Sequence, residues 1–103
     1  MLAWFRRNRA AAGGRAANRE DLRHLEEFVR SRRGVEGFIE PRTAVTETTL
    51  LLIAHDGEWT RRRVDDPQAA RQFAHKLSMP IYDVALVGYP QRMRDFNARN
   101  KTT

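Results

Sequence analysis

The first clear hydrophobic pattern along the chain has helical spacing. Four apolar residues recur three or four positions apart and define one face: Leu22, Leu25, Phe28 and Val29. Asn18 precedes them as a candidate N-cap, and Gly34 follows them, where helices commonly end. The pattern therefore predicts a first helix that begins near Asn18 and ends before Gly34.

Three segments with strand character follow this helix. Residues 35–41 form a short segment that ends in a proline, and residues 43–54 are rich in threonine and β-branched residues. The dipeptide Asp56-Gly57 suits a two-residue type I′ turn. Residues 58–64 are therefore expected to return as the next strand of an antiparallel hairpin.

A second helix and a fourth strand complete the pattern. Asp66 and Pro67 suit the cap and first position of a helix that ends near Met79. Residues 81–88 are almost continuously apolar, which predicts a strand buried on both faces. From Tyr89 onward we expect one helical turn and then a fraying tail.

These elements have the order α-β-β-β-α-β. The order predicts an α+β two-layer sandwich with both helices on one face of a mixed, mainly antiparallel sheet. The domain boundaries follow from the same pattern. Residues 1–17 are expected to be a flexible basic arm, residues 18–88 the domain, and residues 89–103 a basic C-terminal tail that is packed at its start.

The two-residue turn also predicts which side chains share a face of the sheet. It pairs Ala54 with Trp59, so that Arg61 and Arg63 lie on the same face as Trp59. Buried, unpaired guanidinium groups are costly, so we expect that face to lie away from the helices. The residues expected beneath the helices are Val45, Leu51, Ile53 and Val64. The Trp59 face is then either an open binding surface or a surface covered by Tyr89, Met93 or Phe96 of the tail.

The net charge of +6 is concentrated at the two ends of the chain. Residues 1–19 carry +5 and residues 88–103 carry +3, whereas residues 20–87 carry −2. Basic arms attract nucleic acid and anionic membranes. Seventeen of the 19 basic residues are arginine, which codon bias in a GC-rich genome would also produce.

Little in the sequence points to catalysis. The chain has no cysteine, and His24, His55 and His75 lack the spacing of a metal site. The Gly13-Gly14 pair does not connect a strand to a helix, so no phosphate-binding loop is predicted. We therefore expect no cofactor and do not favour an enzyme. With no membrane-spanning or secretory segment in the sequence, the expected location is the cytoplasm.

The candidate binding residues are polar or aromatic side chains of the arms and of the Trp59 face. Those able to contact phosphates or base edges are Arg6, Arg7, Arg9, Arg61, Arg63, Gln91, Arg92 and Arg94. Those able to stack on unpaired bases or to anchor a protein interface are Trp59, Tyr89 and Phe96. The alternative for the tail residues is a packing role.

Three segments carry a resemblance to a known group of proteins. RRGVEGFIEPRT, HDGEWTRRRV and YDVALVGYPQRMRDFNAR resemble a family of short, uncharacterised proteins from GC-rich bacteria, over residues 20–99. That family has no established function, so the resemblance implies none.

Three functions are compatible with these observations. The first is a small, non-catalytic module that binds RNA or DNA through its basic arms. The second is a protein-interaction module or homodimer that uses the Trp59 face. The third is association with a membrane surface through the N-terminal arm, where Leu2, Trp4 and Phe5 adjoin arginines.

Overall fold

The computed structural model describes residues 19–101. The elements are α1 (Arg19–Ser31), β1 (Glu36–Glu40), β2 (Thr49–Ile53), β3 (Trp59–Arg63), α2 (Pro67–Lys76), β4 (Ile81–Asp83), α3 (Val84–Val87) and α4 (Gln91–Lys101). The predicted α+β class, with a helix, three antiparallel strands, a helix and a strand, is confirmed. The predictions for the N-terminal arm, including Arg6, Arg7 and Arg9, lie outside the described residues.

The four strands form one mixed sheet in the order β3-β2-β1-β4. The β1–β2 and β2–β3 pairs are antiparallel, and the pairing of β1 with β4 is parallel. Helix α2 lies between β3 and β4 in the chain. The two central strands carry the most deeply buried residues of the sheet, among them Leu50, Leu51, Leu52 and Ile53.

Helices α1 and α2 cover one face of the sheet, as predicted. Leu25 and Phe28 of α1 pack with Ala74 of α2 in a cluster that includes Leu50 and Leu52 of β2. The predicted cap of α2 is also present, because the carboxylate of Asp66 accepts from the backbone N–H of Ala69 at 2.8 Å. Burial of these apolar side chains is the main force holding the two helices on the sheet.

Helix α4 covers the other face and adds a layer that the sequence pattern did not predict. The expected single turn extends to 11 residues, of which only Met93 is buried. Met93 packs against Phe38, Leu51 and Ile53 on the side of the sheet opposite α1 and α2. The sheet is therefore enclosed between two helical layers over part of its area.

The predicted register of the β2–β3 hairpin is wrong by one residue. Ala54 donates to Glu58 O at 2.8 Å and accepts from the N–H of Gly57 at 3.0 Å. The loop is therefore a three-residue turn with Gly57 at a φ of 95°, rather than the two-residue type I′ turn. The shift pairs Ile53 with Trp59 and Leu51 with Arg61.

This shift changes which β2 residues lie beneath α1 and α2. Leu50 and Leu52 lie there, and Leu51 and Ile53 face α4, the reverse of the prediction. Val64 lies in the α1–α2 core as predicted. Val45 is 90 % exposed, because the second strand begins only at Thr49.

The apolar run 81–88 does not form the doubly buried strand that was predicted. Only Ile81–Asp83 is a strand, and it lies at the end of the sheet order. The Asp83 carboxylate accepts from Ala85 N–H at 2.9 Å and caps the short helix α3. Within residues 19–101, no helix combines the length and apolar character needed to cross a membrane.

Candidate functional site

The predicted Trp59 surface lies under helix α4. The indole of Trp59 is half-buried, and its Nε1–H donates to Asn97 Oδ1 of α4 at 2.7 Å. The guanidinium of Arg61 lies 5.1 Å from the centre of the Trp59 ring on the same face. Of the two alternatives left open by the sequence, the structure therefore shows the covered one, and Trp59 is not an open platform for a base.

A polar network around Glu40 ties the tail to this face. The Glu40 carboxylate accepts from Thr49 Oγ1 at 2.7 Å, from Arg61 Nε and Nη2 at 2.8 and 2.7 Å, and from the Tyr89 hydroxyl at 2.6 Å. Burial raises the pKa of Glu40, but the hydrogen bonds from Arg61, Tyr89 and Thr49 lower it further than burial raises it. The hydrogen bond to Glu40 raises the pKa of Tyr89. Glu40 thus remains ionised, and its hydrogen bonds hold the Arg61 guanidinium and the Tyr89 hydroxyl in place.

The first turns of α4 are tied to the sheet in a similar way. Arg92 Nη2 donates to Glu36 at 2.6 Å, and its Nε donates to the Ala54 carbonyl at 3.0 Å. Phe96 is half-buried beside Gly57 of the hairpin. The long-range contacts of Arg92 favour the packing role for this part of the tail.

The other predicted residues remain at the surface. Arg63 and Arg94 are exposed, and Gln91 is occupied by a 3.0 Å hydrogen bond to Asp95 within α4. The structure therefore does not bring the predicted residues 59–96 together into one open site.

A polar cleft of about 350 Å³ lies between α1 and the hairpin. His24 Nε2 is 2.6 Å from Thr60 Oγ1 at its side, and Arg32 pairs with Glu58 at 2.7 Å. Burial lowers the pKa of His24, and the nearby charges of Arg62 and Arg32 lower it further. Two pairs of polar side chains in this cleft, His24 with Thr60 and Arg32 with Glu58, bond to each other, which is typical of a structural role.

Four large apolar or aromatic side chains within residues 82–89 are exposed, and only one of them, Tyr89, was predicted as a binding residue. They belong to Tyr82, Leu86, Val87 and Tyr89, and we call them the β4–α3 surface. Leu86 is 84 % exposed and Val87 is 57 % exposed, although both are large aliphatic residues. Large apolar side chains that are exposed together mark interaction surfaces more often than single ones do.

Local hydrogen bonds hold this surface in place. The cap from Asp83 begins α3, and Gly88 N–H donates to Val84 O at 2.8 Å to end it, at a φ of 76° that favours glycine. The ring of Tyr82 packs 5.4 Å from that of Phe38. The sequence signal for this turn is DVALVG, an aspartate cap and a terminal glycine around four apolar residues.

The segment that forms this surface carries little charge of its own. No lysine or arginine occurs in residues 77–91, although the chain has 19 basic residues in 103. Asp83 is the only charged residue in that segment, and it is occupied as a helix cap.

Comparisons with protein-family models, with curated proteins and with solved structures found no match to this chain. Among residues 19–101, no three histidine, aspartate or glutamate side chains are grouped so that they could hold a metal ion. The resemblance to a family from GC-rich bacteria stays a prediction.

Proposed function

We propose that this protein is a small, non-catalytic interaction module that binds another protein molecule through the β4–α3 surface. This proposal rests on the exposure of Leu86 and Val87. Both residues belong to the capped helix α3, which directly follows the edge strand β4. Apolar and aromatic side chains that lose water on contact supply most of the binding energy at protein interfaces. The proposal keeps the protein-interaction hypothesis and moves it from the Trp59 face to the β4–α3 surface.

The charge of the described residues favours this function over nucleic-acid binding by the domain. Residues 1–18 hold four of the basic residues and none of the acidic ones, so residues 19–101 hold 15 basic and 13 acidic residues, a net charge of +2. Several of those bases pair internally, as Arg61 does with Glu40 and Arg92 with Glu36. A near-neutral domain attracts polyanions only weakly.

A photo-cross-linking amino acid at position 86 tests the proposal in the cell that makes the protein. We expect discrete adducts from position 86, because Leu86 projects from the surface at the proposed contact. The matched control is the same amino acid at position 71, where Arg71 is exposed on α2. Adducts that Val87→Asp removes would support the proposal. Equal yields from both positions, or none from position 86, would contradict it.

Nucleic-acid binding through the arms is a second candidate. Four arginines without an acidic residue in 1–18, together with exposed Arg94 and Lys101 at the other end, favour it. It predicts that labelled RNA or DNA binds the full chain with an affinity that falls steeply with salt, by about tenfold or more for a fourfold rise in concentration. Deletion of residues 1–17 should remove most of that slope. An affinity that salt does not change would contradict this candidate. Membrane association through the same arm rests on residues outside the described ones and stays a prediction.

A further inference from the structure

The two edge strands of the sheet differ in how they are protected. β3 carries three consecutive arginines, Arg61, Arg62 and Arg63, and it follows a hairpin with a glycine in the left-handed region. Charged side chains and irregular turns of this kind protect an edge from pairing with another chain. β4, with the sequence IYD, has no lysine or arginine and has a neighbouring strand on one side only within residues 19–101.

We propose that the partner of the β4–α3 surface is a second copy of this chain. In this dimer β4 pairs antiparallel with β4 of the other copy across a two-fold axis, and the two four-stranded sheets become one sheet of eight strands. Edge pairing of this kind satisfies backbone N–H and C=O groups that otherwise face water. The proposal rests on the proposed function, because it uses the same surface.

Charge favours a second copy over a polyanion or an acidic protein. Each copy carries +6, so two copies repel one another wherever their basic residues face. The segment 77–91 has no lysine or arginine, so a contact between two copies of this segment adds little of that repulsion. Segment 77–91 itself offers an acidic partner no cation, and the cations beside Tyr89 and Tyr82, Arg61 and Arg92, are already paired with Glu40 and Glu36. Two copies of this surface can therefore meet without strong electrostatic repulsion, whereas an acidic partner would gain little electrostatic attraction from it.

The geometry of antiparallel pairing brings apolar residues of the two copies together. A strand of three residues supplies few backbone hydrogen bonds, so side chains must provide most of the contact. If Tyr82 lies at the two-fold axis, the residues after β4 in one copy lie beside the residues before β4 in the other copy. Helix α3 of one copy is then next to those preceding residues of the other. Those residues, 77–80, are Leu77, Ser78, Met79 and Pro80, again without a charge. Leu86 and Val87 would thus lose their exposure against an uncharged segment.

Sedimentation velocity of the full chain tests the dimer directly. We expect a species of twice the 12.0 kDa of the chain, populated at protein concentrations up to about 200 µM. Raising the salt concentration to roughly 500 mM should strengthen the dimer, because salt screens the repulsion between basic copies. This is the opposite of the salt effect expected for nucleic-acid binding.

Two aspartate variants locate the interface. Leu86→Asp should weaken dimerisation by about 100-fold or more, because it places a charge in an apolar contact. Leu22→Asp is the matched control and should leave dimerisation unchanged, since Leu22 is exposed on α1, which packs over β3 at the other end of the sheet. Circular dichroism should show that both variants remain folded.

The outcomes separate this inference from the proposed function. A dimer that Leu86→Asp dissociates supports both proposals. A chain that is monomeric at every concentration and both salt levels overturns the dimer, and a dimer that Leu86→Asp leaves intact overturns it as well. If the chain is monomeric but position 86 still gives discrete adducts in cells, the dimer is wrong and the interaction surface stands. If position 86 gives no adducts either, both proposals are wrong.

Discussion

Replacing Gly57 with alanine is expected to lower the free energy of unfolding by about 3 kcal/mol or more, the largest effect of any single methyl group that we predict. Gly57 has a φ of 95°, which side-chain-bearing residues rarely adopt. A Cβ at this position would lie 2.0 Å from the Arg92 carbonyl oxygen and 2.9 Å from Phe96 Cβ. Either the hairpin or α4 must therefore move.

Chemical denaturation measures this loss, and Gly88→Ala is the matched control. Gly88 also has a positive φ, of 76°, but a Cβ there would meet no atom within 4 Å. Its replacement should cost about 1 to 2 kcal/mol from backbone strain alone. The Trp59 indole N–H, which bonds to Asn97, gives an NMR signal that should shift in Gly57→Ala and stay in place in Gly88→Ala. A smaller loss for Gly57→Ala than for Gly88→Ala would contradict the close packing of α4 on the hairpin.

The same glycine explains why the sequence predicted the hairpin but not its register. Asp56-Gly57 is suitable both for a two-residue type I′ turn and for the last two positions of a three-residue turn with a bulge. The two turns differ by one residue, and a shift of one residue moves every β2 side chain to the other face. The prediction that Arg61 and Arg63 lie on the face away from α1 and α2 is still correct. It rests on the cost of burying guanidinium groups and on the alternation of side chains along β3, and neither depends on the register of the hairpin.

Helix α4 was not predictable from its own hydrophobic pattern. It buries only Met93, so it has no apolar stripe of the kind that predicted α1 and α2. Polar contacts to residues far away in sequence hold it, such as the bond from Arg92 to Ala54, 38 positions apart. Such partners become visible only when the fold is known.

The β4–α3 surface was missed for a related reason. A run of apolar residues is normally buried, and a buried strand and a short exposed helix have similar composition. The feature that distinguishes them is Asp83, whose carboxylate accepts from the Ala85 N–H, so that the strand ends after three residues and α3 begins. The pattern predicted the strand correctly as far as Asp83 but assigned the residues that follow to the core.

Replacing Glu40 with glutamine is expected to destabilise the protein by about 2 kcal/mol. Glu40 is 13 % exposed and accepts four hydrogen bonds, two of them from Arg61. An amide of the same size has one acceptor and directs N–H groups at the donors around it. The loss is smaller than for a fully buried ion pair, because the Arg61 side chain is 40 % exposed and can regain water. Glu26→Gln is the control, since Glu26 pairs with Arg30 on the surface of α1 and its replacement should change stability little.

The difference in stability between the wild type and Glu40→Gln should depend on pH in a defined direction. The folded protein holds the pKa of Glu40 below its ordinary value of 4.5, so the folded state favours the ionised carboxylate. Its contribution is therefore complete above about pH 5 to 6 and is lost as the pH falls below 4.5 through the folded-state pKa. Other carboxylates with lowered pKa values, such as Glu26 and Asp56, destabilise both proteins equally in acid, so the difference between the two isolates Glu40. Urea unfolding at a series of pH values measures this difference. A difference that stays constant from about pH 6 to pH 3 would show that Glu40 acts through shape and not through charge.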